Sequence, residues 1–219
     1  MRKTNLSGDC SKFSLVLDAI KQTDVHEFNI EFVGCLVREA GLSPYDPKRD
    51  LYGDERGFMN QSAGICQHPT ELAHIIDLII KMKYSTMIEV GSGHGWTSTF
   101  IQSVVSKFQS FKVTSIDKNP NCYKEVSAVS EVIFLNMLSN EVDDVFDVAF
   151  IDADHSYEGV KNDYEEVGKS AKMCVFHDID DIFCPGVKRL WGDVKHRGLA
   201  KEFICNQDKL GLGALINLI

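Results

Sequence analysis

The chain has 219 residues, 44% of them hydrophobic and 25% charged, the balance of a soluble globular protein long enough to bury a core without staples. Its formal net charge of -9 repels phosphate backbones and anionic lipid headgroups, so no nucleic-acid and no membrane partner is expected. Seven cysteines without a CxxC pair, and no apolar leader after Met1, fit neither a zinc-ligand pattern nor a disulfide framework and lead us to expect reduced thiols and a cytoplasmic location.

Residues 10–41 read as two helices, with Phe13, Val16, Leu17 and Ile20 on one apolar stripe and Phe32, Leu36 and Val37 on another. Residues 41–44 stop the second helix. Residues 45–67, polar and without a period, read as a long loop, the length at which loops carry function. Tyr45, Tyr52 and Phe58 within it could stack on a ring or pin the loop to the sheet. A helix over 70–82 follows Pro69.

From there strands alternate with helices. Strands are predicted at 87–90, 113–116, 132–135, 147–151 and 173–176, and helices at 96–108, 157–169 and 187–196. Such alternation implies a mostly parallel sheet covered on both faces. Two final strands, 202–205 and 214–219, lack a helix between them and predict a closing antiparallel hairpin. The only basic run, Lys188-Arg189 with Lys195-His196-Arg197, reads as a solvated helix face. The expected organisation is a helical cap and substrate loop over 1–68 and a nucleoside-binding unit over 69–219, in one α/β whole.

The first strand ends in Glu89-Val90-Gly91-Ser92-Gly93-His94-Gly95 and a helix begins at Trp96. Glycines let the backbone turn tightly and approach a ligand, and a helix N-terminus adds N–H donors. Asp117, followed by Lys118, closes the next strand 22 residues after Gly95, where an acid accepts hydrogen bonds from ribose hydroxyls. The spacing is G-x-G-x-G, with Trp96 where a dinucleotide fingerprint needs its third glycine. Glu89 stands where such strands keep an apolar residue. Its carboxylate suits a ligand carrying an ammonium and a sulfonium better than a pyrophosphate. Trp96 and Phe100, at helical spacing, serve as core or as ligand contacts.

This stretch resembles the first motif of class I S-adenosylmethionine (SAM)-dependent methyltransferases, and the terminal hairpin resembles that family's sheet. The resemblance covers roughly residues 61–219. It implies a Rossmann-like methyltransferase fold, a seven-stranded mostly parallel sheet with a C-terminal antiparallel hairpin and an N-terminal helical cap. It also implies SAM as cofactor, held by Glu89, Gly91, Ser92, Gly93 and Trp96, with the Gly91–Gly93 backbone at the methionyl end. Asp117 and Lys118 would lie at the ribose, Asn136 and Met137 at the adenine, and Asp152 beyond. A nicotinamide-dependent oxidoreductase and a non-catalytic nucleoside-binding module are the rival readings.

The fourth strand runs into Asp152-Ala153-Asp154-His155-Ser156-Tyr157-Glu158-Gly159-Val160 and the fifth into His177-Asp178-Ile179-Asp180-Asp181. Both acidic strings fall at the ligand rim of an open α/β sheet. With residues 64–72 they are similar to a subgroup that includes sugar O-methyltransferases and relatives of the so-called cephalosporin hydroxylases. That resemblance implies transfer of a methyl group to a hydroxyl of a small molecule or glycan. His155 and His177 are the candidate bases, and Asp152 or Asp154 could instead cap the following helix. In catechol-type O-methyltransferases the acid at the Asp152 position binds magnesium with a second at the Asp178 position. Ile179 stands where the third ligand would be, and His177 or Asp180 could replace it. On that pattern Mg²⁺ or another hard divalent cation would join Asp152 and Asp178. A homo-oligomer is compatible with the sequence.

Overall fold

The central strands are apolar at nearly every position, because both faces of a parallel sheet are covered. β1 (Thr86–Val90), β4 (Val148–Ile151), β5 (Met173–Phe176) and β7 (Leu212–Ile216) are buried almost throughout. The computed structural model of the chain describes residues 10–40, 45–46, 51–52, 65–119, 126–205 and 210–217. With β2 (Lys112–Asp117), β3 (Ile133–Asn136) and β6 (Leu199–Phe203), these strands form one seven-stranded sheet in the order β3-β2-β1-β4-β5-β7-β6. The pairs β2–β3, β1–β2, β1–β4 and β4–β5 are parallel, and β7 runs antiparallel to both β5 and β6.

Alternate residues feed two cores. Met87, Phe150, Met173 and Val175 face α1 (Cys10–Gln22), α2 (Ile30–Ala40), α3 (Pro69–Lys81) and α4 (Trp96–Val105). Ile88, Ala149, Ile151, Cys174 and Phe176 face α5 (Tyr157–Asp163) and α6 (Pro185–Val194). A π turn, Tyr164–Gly168, extends α5. The N-terminal helices share the first core with the sheet: α2 packs on α3, and Phe13 of α1 meets Trp96 edge-on with ring centroids 4.6 Å apart.

Chain order reverses between β1 and β4, and the crevice at such a switch point is where ligands bind in open α/β sheets. Gly91, Asp117, Asn136, Asp152 and His177, each at or just beyond a strand's carboxyl end, therefore share one rim.

Three expectations change. Residues 45–67 contain a short antiparallel ribbon, Tyr45–Asp46 with Leu51–Tyr52, while Phe58 and the side chains of Tyr45 and Tyr52 lie outside what is described. The sixth strand starts at Leu199 rather than 202. It is an edge strand exposing Leu199, Lys201 and Glu202, so it lacks the continuous apolar run that marks the central strands. The seventh is Leu212–Ile216, the stretch paired with Met173–Phe176 and Leu199–Phe203; Gly213 at its start lies against the Trp191 ring, where a Cβ would stand 3.0 Å from three ring atoms.

Candidate active site

The turn after β1 is built by glycines doing different jobs. Gly91 has φ +94°, and a Cβ there would lie 2.2 Å from the Asp152 carbonyl oxygen. Its N–H and that of Ser92 both donate to the Ile116 carbonyl, at 2.9 and 3.1 Å. Gly91 and Ser92 therefore bind the loop to β2 through N–H groups that are already engaged. Gly93, at φ +48°, is exposed, with nothing within 4 Å of where its Cβ would be. Its N–H donates to Asp117 Oδ2 at 3.1 Å, and Asp117 Oδ1 accepts from the Asn119 N–H at 2.8 Å. The acid closing β2 thus faces the open part of the loop. No side chain caps α4.

The other expected cofactor contacts divide. Asn136, oriented so that its NH₂ finds acceptors, donates to the carbonyls of Asp117 (3.0 Å) and Lys118 (3.1 Å) and so ties β3 to the end of β2. Lys118 is exposed and Met137 half-buried, both beside the same rim. Glu89 is turned inward. It is 2% exposed, accepts a hydrogen bond from Ser115, and burial pushes its carboxyl up to about 8. Ser115 Oγ also lies 2.7 Å from Ser92 Oγ. Glu89 is an uncharged strut at neutral pH rather than an open anion awaiting a cation. Trp96 is core, 4% exposed against Phe13, and not a ligand-facing ring.

The ends of β4 and β5 bring four titratable groups together. His177 Nδ1 lies 3.1 Å from Asp152 Oδ1 and 3.2 Å from Asp178 Oδ1. His155 Nε2 lies 2.8 Å from Asp178 Oδ2 and 3.7 Å from Asp152 Oδ1. Burial alone would raise both carboxyls, but the charge of His177 and hydrogen bonds from both imidazoles outweigh it and hold Asp152 and Asp178 below the usual range. The same carboxylates raise His155 to about 10 and, against the opposing effect of burial, hold His177 well above its ordinary value. The two carboxylates and two imidazoles thus form one coupled cluster in which each acid favours a proton on its histidine partner.

That pairing bears on the two candidate bases. His177 is 4% exposed and serves as a bridge between acids. His155 has a side chain 42% exposed, so it reaches the mouth of the site, but at neutral pH it already carries its proton. Capping of α5 falls to neither candidate acid: Ser156 Oγ accepts from the Gly159 N–H at 3.1 Å, and Asp154 braces it by accepting from the Ser156 N–H at 2.8 Å. Of the two residues offered for the third metal ligand, His177 is in place. Asp180 pairs with Lys188 Nζ at 2.7 Å, and Ile179 is 3% exposed.

Gln67, 1% exposed, was invisible to motif reasoning. Its Nε2 donates to Asp152 Oδ2 at 2.7 Å while its Oε1 accepts from Thr97 Oγ1 at 2.6 Å. It therefore joins the helix after the glycine loop to the acid after β4. Cys184, the residue before α6, was also missed; its Sγ lies 3.6 Å from Asp178 Oδ2. Only the tertiary fold brings either of them to the rim.

Residues 88–182 match the family model of a methyltransferase domain. No curated protein matches the chain by sequence. Solved structures do match by fold. An O-methyltransferase from Bacillus cereus in complex with SAH is 14% identical over 94% of this chain and 97% of that one, with a TM-score of 0.53. The O-methyltransferase TomG from Streptomyces achromogenes, involved in tomaymycin synthesis and solved with SAM, is 11% identical over 96% and 99%, at 0.55. A SAM-dependent O-methyltransferase from Thermotoga maritima is 12% identical over 74% and 69%, at 0.54. Residues 88–182 thus match a methyltransferase-domain model, and the chain shares the fold of these O-methyltransferase structures.

Proposed function

We propose that this chain transfers the methyl group of SAM to a hydroxyl oxygen of a small molecule, with sugar or glycan hydroxyls as the first acceptors to try. One observation carries the reading. Asp117 is turned onto the Gly93 N–H on one side of the switch point, and an ionised carboxylate pair stands beyond Gly91 on the other. A nucleoside gripped by the first feature would point its reactive end at the second. The O-methyltransferase names of the similar structures support oxygen as the acceptor atom.

In the reaction the sulfur–methyl bond breaks as the oxygen–methyl bond forms in line with it. The sulfonium becomes a neutral thioether, and the hydroxyl gives up its proton. Proximity and alignment supply much of the rate in such a transfer. Asp152 is aimed by Gln67, and Asp178 by His155 and Cys184, so the acceptor's position would be set by side chains that are themselves held. Asp178 Oδ1 is buried and, among the described residues, faces His177 Nδ1 at 3.2 Å without a well-directed hydrogen bond, an under-satisfied acceptor that a cation would complete. Asp152, His177 and Asp178 would hold a divalent cation, and such an ion supplies Lewis acidity that lowers the pKa of a bound hydroxyl. With a cation on the two carboxylates, the proton leaving the hydroxyl would pass to His155 Nε2 at the mouth. His155 serves as a base only when another cation engages the two carboxylates.

The test is mass spectrometry of sugar and phenol panels incubated with SAM and the protein. A product heavier by one methyl group, with SAH formed in equal amount, is expected. Binding of SAM without methylation of any hydroxyl acceptor would leave a nucleoside-binding module in its place.

A further inference from the structure

The rim's donor set does not suit the hard cation that the sequence resemblance implies. We propose that the cluster at the ends of β4 and β5 selects a borderline transition-metal dication of the zinc, iron(II) or cobalt(II) class over Mg²⁺. Asp152, His177 and Asp178 are its core ligands, and His155 and Cys184 flank it. The inference deepens the cation reading above and rests on it.

The geometry comes first. Asp152, His177 and Asp178 each offer a ligand atom, all within 4.8 Å of one another, and so do His155, Asp178 and Cys184. Ligands bound to one ion at about 2.0–2.3 Å stand about 3.0–3.6 Å apart in octahedral or tetrahedral sites. The separations of 3.1 Å (His177 to Asp152), 3.2 Å (His177 to Asp178) and 3.6 Å (Cys184 to Asp178) lie in that range. Oδ1 of Asp178, a residue 5% exposed, makes no well-directed hydrogen bond among the described residues although His177 Nδ1 lies 3.2 Å away. Asp178 also holds φ +61°, a left-handed backbone that non-glycine residues rarely keep without a reason.

The chemistry of the donors then chooses the ion. Mg²⁺ demands a near-octahedral set of oxygens. The acids that could complete such a set are turned elsewhere: Asp180 pairs with Lys188, and Asp181 Oδ1 accepts from the Phe183 N–H at 2.8 Å. Among the described residues, the other donors beside the two carboxylates are the His155 and His177 imidazoles and the Cys184 thiol, with the Cys66 thiol near enough to feel both charges, and such donors favour zinc, iron or cobalt over magnesium.

Cobalt(II) is the probe, since it reports its ligands by absorption. Full-length protein is stripped with a chelator and titrated with Co²⁺, Zn²⁺ or Mg²⁺ by calorimetry, with SAH binding measured on the same samples. We expect one Co²⁺ or Zn²⁺ per chain, held at least about 100-fold more tightly than Mg²⁺. A thiolate-to-cobalt charge-transfer band should appear and vanish in Cys184→Ser, with the ligand-field bands retained. Asp178→Asn should abolish binding. Equal affinity for Mg²⁺ would overturn the proposal, as would a charge-transfer band that survives in Cys184→Ser. Absence of any ion binding in protein that still binds SAH would also overturn it while leaving the methyltransferase reading intact. Retained SAH binding in each variant shows that it is folded.

Discussion

Replacing Gly91 and Gly93 by alanine, one at a time, separates the scaffold role of the loop from its ligand role. Both glycines have positive φ, +94° and +48°, so each alanine suffers the left-handed penalty of about 1–2 kcal/mol. Only at Gly91 is there a second cost. Its Cβ would sit 2.2 Å from the Asp152 carbonyl oxygen, 2.6 Å from the carbonyl carbon and 2.8 Å from Ala153 Cα. All three are backbone atoms, and they cannot yield easily because the Asp152 N–H donates to the Val90 carbonyl at 2.9 Å. Overpacking of a held structure adds about 1–3 kcal/mol. Gly91→Ala should therefore lose about 2–5 kcal/mol in urea unfolding, and Gly93→Ala only about 1–2 kcal/mol. In a chain of this size each kcal/mol shifts Tm by about 2–4 °C. SAH binding should invert the ranking per unit of stability lost, since a methyl on Gly93 stands where the ligand would lie. Equal losses of stability in the two variants would refute the division of labour.

Three further outcomes follow from the packing and the charges. Asp147 accepts from the Ser85 N–H and Oγ and the Thr86 N–H and pairs with Lys172; burial opposes ionisation, but these partners win and hold it at about 2. A depressed carboxyl stabilises the fold above its unfolded pKa, and this is lost as pH falls through the folded one. Asp147→Asn should thus cost about 1–2 kcal/mol at pH 7 and almost nothing near pH 2, by denaturant titration at both. Glu89, raised to about 8 from 4.5 by burial, has the opposite sign: stability falls as pH climbs from about 5 to 8. Glu89→Gln should flatten that slope, which is worth about 3–4 kcal/mol, and an unchanged pH profile would contradict the buried placement. Gln67→Leu strands Asp152 Oδ2 and Thr97 Oγ1, so it should destabilise by about 2–4 kcal/mol, with Gln67→Glu no better because it sets a carboxylate against Asp152.

The fold was largely legible because its central strands are short, continuous apolar runs, and those are read without knowing their neighbours. The edge strand β6 was misplaced because solvent covers one side of it, so Lys201 and Glu202 interrupt the pattern. The glycine loop and Asp117 were legible as local chemistry at fixed spacing. Glu89 and Trp96 were placed beside the ligand because nothing in a linear motif says which way a side chain turns. Ser115 and Phe13, far along the chain, decide that. His155 read as a neutral base because its sequence neighbours hide Asp178, 23 positions away and 2.8 Å distant. Gln67 and Cys184 carry no periodicity or spacing signal, and their roles exist only where strand ends converge.

Calorimetric titration of SAH into the native chain and into Asp117→Ala tests the account at its centre. The Asp117 carboxylate that now accepts the Gly93 N–H would exchange it for two ribose hydroxyls, charge-assisted bonds worth about 1.5–3 kcal/mol each. The native chain should bind one SAH, and the variant should bind at least about 10-fold more weakly. Equal affinity in the two, or no SAH binding to the native chain, would contradict it.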